Sequence, residues 1–201
     1  MPVHVSSGSL VSVSLGRSSL AQPIRVGLVV LAVALTAAAA QFTMPLPFTA
    51  VPFVLTPLVV LLTGAALGAR LGALTQVLYI ALGIAGLPVF APSVTLPPGA
   101  ARLLGPTGGY LMAYPIAAFV TGWLAERGWD RRYLTSAAAM LIGLAVIFTG
   151  GVSWLAASVT QSLPAALTGG LIPFIALDVV KVAAAAGILP ATWKLAGRGS
   201  R

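Results

Sequence analysis

Residues Leu171–Trp193 read LIPFIALDVVKVAAAAGILPATW, 23 residues with two charges, Asp178 and Lys181. A helix that crosses a bilayer needs about 20 mostly apolar residues. This stretch is long enough and apolar enough to be one. Asp178 and Lys181 are three apart, so a helix places them on one face. An ionisable group at mid-bilayer costs at least about 2.5–3.5 kcal/mol, so such a residue is by default a functional candidate. Two readings are open: a self-neutralising pair that clamps helices together, or a ligand site.

Outward from this segment the rest of the chain has the same character. Its 201 residues are 59% hydrophobic and 7% charged, with a mean hydropathy of +1.04. Soluble domains carry roughly 25% charged residues, so a soluble globular protein is excluded. Between Arg25 and Arg70 lie 44 uncharged residues, and between Arg132 and Asp178 lie 45. Apolar runs bounded by Pro, Gly and charge give six candidate spans: 24–42, 53–67, 71–87, 108–125, 133–157 and 171–193. The second and third are short, and the joint Gly68-Ala69-Arg70-Leu71-Gly72 is tight, so they could form one bent hairpin. The fold class expected is an all-α integral membrane protein of about six helices.

Three regions follow: a Ser-rich tail over 1–22, a membrane domain over 23–194 and a basic tail over 195–201. The tail holds seven Ser and no sustained apolar run, and reads as disordered. The first span reads as an uncleaved anchor, because Arg25 lies at its start and no small-residue cleavage site follows it cleanly.

Orientation follows from the placement of Lys and Arg. With six spans and the N-terminus inside, Arg17, Arg25, Arg70, Arg127, Arg131, Arg132, Lys194, Arg198 and Arg201 fall on the cytoplasmic side, and Arg102 alone lies outside. Both termini are then cytoplasmic, as in a bacterial inner-membrane protein. The excess of 11 bases over 3 acids, and the pI near 11.2, report on topology and not on nucleic acid. Glu126 and Asp130, beside arginines in a cytoplasmic turn, need no further role. In this frame Asp178 lies about seven residues from the outer end, roughly 10 Å deep, and a pocket there opens outward.

A second candidate is Gly105-Pro106-Thr107-Gly108-Gly109-Tyr110. Adjacent glycines at a helix start admit a ligand or a second helix close to the backbone, and both readings stay open. The 16 residues Val89–Leu104 before it are rich in Pro and lack a helical period, which suggests a lid carrying Arg102. In the first span, Ala34 and Ala38 form one small-residue face and Ala32, Thr36 and Ala40 a neighbouring one, either for internal packing or for docking another subunit. Tyr79, Phe90, Tyr110, Trp154 and Phe174 are individually weak ligand candidates.

Several chemistries are excluded. There is no Cys, the one His is His4 in the tail, and no G-x-x-x-x-G-K-[ST] loop is present. A Ser–Lys dyad of Lys181 with Ser153 or Ser158 is the enzymatic option that survives, and the chain reads as a non-enzyme without a cofactor.

The runs GLPVFA (86–91), GPTGGYL (105–111) and PFIALDVVK (173–181) together resemble the BioY family, the biotin-binding S components of energy-coupling-factor (ECF) transporters. The likeness covers about residues 28–190. The Pro-rich stretch Thr43–Pro57 is similar too, although Phe53–Thr56 departs from the usual P-V-P-I-T-L-Q and receives no role. The resemblance implies a six-helix bundle with a loop-roofed outward cavity and high-affinity capture of biotin. It also implies a transmembrane coupling subunit and two ATPases as partners, with ATP used by those subunits. Asp178 and Lys181 match the family's acid and lysine, and Ala34 with Ala38 match the docking motif for the coupling subunit.

Biotin has two ureido N–H donors, an apolar middle and a carboxylate. Asp178 is expected to accept from the ureido group, and Lys181 or Arg102 to pair with the carboxylate. Tyr79, Phe90, Tyr110 and Trp154 would wall the middle, and Thr107, Gly108 and Gly109 would offer backbone N–H groups. The alternatives are an S component for another vitamin, or a membrane assembly protein whose Asp–Lys pair is structural. A homo-oligomer is also possible on sequence grounds.

Overall fold

A computed structural model describes Leu10, residues 21–93 and residues 95–198. Most of the Ser-rich tail, and residues 199–201 of the basic tail, lie outside the described residues. Helix α1 (Ala21–Gln41) already includes the last two residues of the 1–22 stretch. Its two small-residue faces part company. Ala32, Thr36 and Ala40 are buried, whereas Ala34 and Ala38 are exposed.

After α1 the prolines at 45, 47 and 52 prevent a helix, and the chain makes a short antiparallel pair, β1 (Thr43–Met44) with β2 (Phe53–Val54), in register Thr43↔Val54. The sequence reading began the second span at Phe53. It begins instead at Thr56, as α2 (Thr56–Leu67), with Pro57 in the first turn where no N–H is needed. Helix α3 (Ala69–Ile84) follows after the single residue Gly68, whose φ of 87° lies in the region that glycine tolerates. The tight joint is therefore a true helical hairpin. Glu126 Oε1 accepts from the Ala69 N–H at 2.9 Å, so Glu126 caps α3 and does more than mark topology. Between α1, α2 and α3, the fully buried Gln76 Nε2 donates to Thr63 Oγ1 at 3.3 Å and to Thr36 Oγ1 at 3.5 Å. Interhelical polar bonds of this kind contribute about 0.6 kcal/mol each in a bilayer and set register.

The connection from 85 to 107 contains one short helical turn, α4 (Ala101–Leu104). Helix α5 (Gly108–Glu126) then runs back through the bundle and packs on α2 and α3. A Cβ on Gly64 would stand 2.6 Å from the Ala118 carbonyl oxygen, so this crossing requires glycine. A 3-10 turn at Trp129–Arg131 leads into α6 (Tyr133–Leu155), which ends in a π-helical segment, Ala156–Thr160. A short helix, α7 (Leu163–Gly170), was not anticipated.

The quoted segment 171–193 is not one helix but two, α8 (Ile172–Ala185) and α9 (Ile188–Arg198). Pro190 explains the break. Its ring would strike the carbonyl four residues back and it has no N–H to donate, so the helix restarts with Pro190 in its first turn. Helix α9 also reaches four residues into the stretch read as a tail. Asp130, in the 3-10 turn, is buried and accepts from Trp193 Nε1 of α9 at 2.6 Å, while Arg131 lies 4.8 Å over the Trp193 ring. Asp130 thus also has a structural role.

The chain is a multi-pass membrane protein. Three stretches, 22–41, 133–160 and 172–195, are long and apolar enough to cross a bilayer, and α2 and α3, at 12 and 16 residues, are shorter apolar helices. The six candidate spans correspond to α1, α2, α3, α5, α6 and the α8–α9 pair.

Candidate ligand-binding site

At the hairpin end of the bundle lies a cavity of about 560 Å³. That is within the range of small-molecule sites. Helices α1, α2, α3, α5, α6 and α8 form its walls, and the β1–β2 hairpin and the 85–107 connection form its roof. Each roof element is fixed from below. Thr49 Oγ1 donates to the Gly169 carbonyl at 2.5 Å, and Tyr79 Oη to the Val89 carbonyl at 3.2 Å. Gln41 Nε2 of α1 donates to the Pro88 and Phe90 carbonyls at 3.3 Å, and within the connection itself Arg102 Nη2 donates to the Ala91 carbonyl at 2.6 Å.

Asp178 is the one carboxylate among the described lining residues, and it is 6% exposed. It sits in α8 and forms a salt bridge with Lys181. Arg102 is the one cation among them, and its buried Nε has no hydrogen-bond partner. Burial lowers the Arg102 pKa from the ordinary guanidinium value, with the Tyr79 phenol acting in the opposite sense. The walls are aromatic. Tyr79 and Phe90 meet edge to face at 5.4 Å, as Tyr110 and Phe148 do at 6.5 Å. Tyr110 Oη donates to the Gly170 carbonyl at 2.7 Å and so orients its ring.

Of the residues expected at the site, Asp178, Arg102, Thr107, Tyr110, Tyr79 and Phe90 come together around this cavity. Lys181, Gly108, Gly109 and Trp154 are not among its lining residues. Trp154 packs against Gly108 and Gly109 and donates Nε1 to the Gly105 carbonyl at 2.9 Å. A Cβ on Gly109 would collide with Trp154 Cβ, so the glycine pair lets α5 pack closely on α6. Lys181 Nζ turns to the Val54 carbonyl at 3.0 Å and lies 4.1 Å over the Phe53 ring. Ala34 and Ala38 lie on the outer face of α1, away from the cavity.

Residues 14–198 match the model of the BioY family. The chain belongs to the BioY family. It is 44% identical over 160 residues to a probable biotin transporter BioY of Pyrococcus horikoshii, covering 80% of this chain and 90% of that protein. It is 39% identical over 145 residues to the biotin transporter BioY of Thermotoga maritima, covering 70% of this chain and 80% of that one. In fold it is similar to a crystal structure described as the S-component for biotin from an ECF-type ABC transporter. The TM-score is 0.80 at 23% identity, over 89% of this chain and 95% of that one.

Against this family frame, sequence reasoning missed Thr56, Tyr114, Phe53 and Phe148, which also line the cavity. Phe53 and Thr56 fall in the segment that departs from the usual family pattern, so motif comparison passed over them. Tyr114, one turn beyond Tyr110 on α5, was within reach of helical spacing, since residues four apart share a face.

Proposed function

We propose that this chain captures biotin from outside the cell and acts as the substrate-binding component of an ECF-type transporter. The observation that supports this best is a roofed, mostly apolar cavity with one buried carboxylate, in a chain of the BioY family. It is a transport protein and not an enzyme. Asp178 accepts the ureido N–H groups, in bonds strengthened by its charge. Tyr79, Phe90 and Tyr110 enclose the thiophane ring and the valeryl chain, and Thr107 contributes at the start of α5. Arg102 pairs with the carboxylate, because Lys181 already has its own partners.

The chain has no P-loop motif, so ATP hydrolysis falls to two ATPase subunits linked through a transmembrane coupling subunit. The exposed Ala34 and Ala38 of α1 form the docking face for that subunit. The assignment of nine bases to one side supports an inner-membrane placement with both termini in the cytoplasm.

Equilibrium binding of labelled biotin to the purified protein, with thiamine and riboflavin as competitors, tests the reading. Saturable binding displaced by unlabelled biotin alone is expected. Displacement by either other vitamin at equal concentration would assign the cavity to a different substrate.

A further inference from the structure

Tyr79, Tyr110 and Tyr114 all line the cavity, but their hydroxyls are not engaged alike. Tyr79 donates to the Val89 carbonyl at 3.2 Å and Tyr110 to the Gly170 carbonyl at 2.7 Å, so both of these protons are committed to the protein. Tyr114 lies one turn deeper along α5 and is 3% exposed. Among the described residues its hydroxyl has no carbonyl partner; it meets the side chain of Thr56, at the start of α2. Thr56 is 2% exposed and also lines the cavity. Each hydroxyl brings one proton, so two that share a hydrogen bond keep one proton unspent. A buried donor without an acceptor is costly, and this one faces a cavity.

Asp178 supplies the complementary chemistry. Ionised, it accepts hydrogen bonds and donates none, and its charge reaches the Tyr114 hydroxyl. An acceptor and a free donor within reach of each other suit a group that carries N–H beside C=O. A ureido ring is such a group, whereas a carboxylate offers acceptors alone.

We propose that Tyr114 donates its hydroxyl proton to the ureido carbonyl of the ligand, and so selects for a ring with an oxygen between its two N–H groups. The inference rests on the biotin reading and adds a specificity determinant to it. Asp178 reads the N–H groups, and Tyr114 reads the oxygen between them. Thr56 is a positioning residue that orients the phenol and acts through it. A site built to hydrogen-bond one group rejects the analogue that lacks it.

Competition titrations of biotin, biotin amide and 2-iminobiotin against labelled biotin test this in the parent, Tyr114→Phe and Thr56→Val. At neutral pH 2-iminobiotin carries a protonated nitrogen in place of the ureido oxygen and offers no acceptor there. Tyr114→Phe keeps the ring and removes one oxygen. It is expected to weaken biotin and biotin amide each about tenfold, and 2-iminobiotin less than about threefold. Thr56→Val is expected to weaken biotin about threefold and to add nothing in the double variant, because it acts through Tyr114.

Unchanged biotin affinity in Tyr114→Phe overturns the proposal. So do equal losses for all three ligands, which would mark the hydroxyl pair as a clamp between α2 and α5. A loss that vanishes with biotin amide would place the hydroxyl at the carboxylate and overturn it too. Additive losses in the double variant would remove the positioning role of Thr56. Absence of biotin binding by the parent rejects the function above and this assignment with it, whereas the other contrary results reject this assignment alone.

Discussion

At the residue scale, the proposed hold on a carboxylated ligand turns on Arg102. Arg102 is the cation that lines the cavity, with its guanidinium bonded to the Ala91 carbonyl and Nε unpaired. Arg102→Gln is expected to weaken biotin binding about tenfold or more, as removal of a charged hydrogen bond does. The same substitution should leave the affinity for biotin amide, which has no carboxylate, almost unchanged. Parallel titrations with the two ligands check this, because only a direct pair makes the loss depend on the ligand.

Asp130 behaves differently. Burial raises its pKa above the usual carboxylate range, against the Trp193 hydrogen bond and the Arg131 charge, which lower it. An acid whose folded pKa is raised gives stability that is complete below its unfolded value and lost as pH rises through the folded value. Thermal stability should therefore fall as pH rises through this interval. Asp130→Asn, which keeps an acceptor for Trp193 and carries no charge, should remove that part of the pH dependence in melting curves.

Asp178 and Arg102 were legible in the sequence because charge is so scarce. An ion with few rivals in an apolar chain is conspicuous. Lys181 was equally conspicuous, but its direction was not, since helical spacing places it on the face of Asp178 without saying which neighbours accept its hydrogen bonds. Thr56 was hidden because its segment departs from the family pattern, whereas Tyr114 was within reach of the helical spacing from Tyr110.

At the scale of elements, α1 separates packing from presentation. The stripe Ala32, Thr36 and Ala40 is buried against α2 and α3, while Ala34 and Ala38 stay exposed. Ala34→Trp and Ala38→Trp are expected to fold, bind biotin and fail to co-purify with the coupling subunit. Ala32→Trp is expected to impair folding itself, because Ala32 is 4% exposed and does not line the cavity, so an indole there overpacks the helix interface. Size-exclusion profiles and co-purification of the three variants distinguish the faces.

The spans themselves were readable from hydropathy, since long uncharged runs have few alternatives. The hairpin, α7 and the α8–α9 break were not. The strands have two residues each and offer no period to detect. The break turns on Pro190, in a run that hydropathy reads as continuous. Glycines 108 and 109 show the limit from the other side. A glycine pair states that something comes close to the backbone, and only the fold identifies it as Trp154.

At the scale of the whole molecule, one end of the bundle is built for capture and the other for rigidity. The cavity end joins an aromatic chamber to two roof elements, each held to the helices by a few side-chain hydrogen bonds. The opposite end is closed by the Glu126 cap on α3 and by the Asp130–Trp193 bond. A ligand thus has its entrance on the hairpin side, which faces outward in the orientation proposed from the nine bases.

The central claim is that Asp178 in this cavity holds biotin, and one measurement addresses it directly: equilibrium titration of labelled biotin into the parent and into Asp178→Asn, at matched folding judged by size exclusion. The account predicts saturable one-site binding by the parent and a loss of about tenfold or more in the variant, the scale of a charged hydrogen bond. Equal affinity in the two proteins, or no saturable binding by the parent, would contradict it.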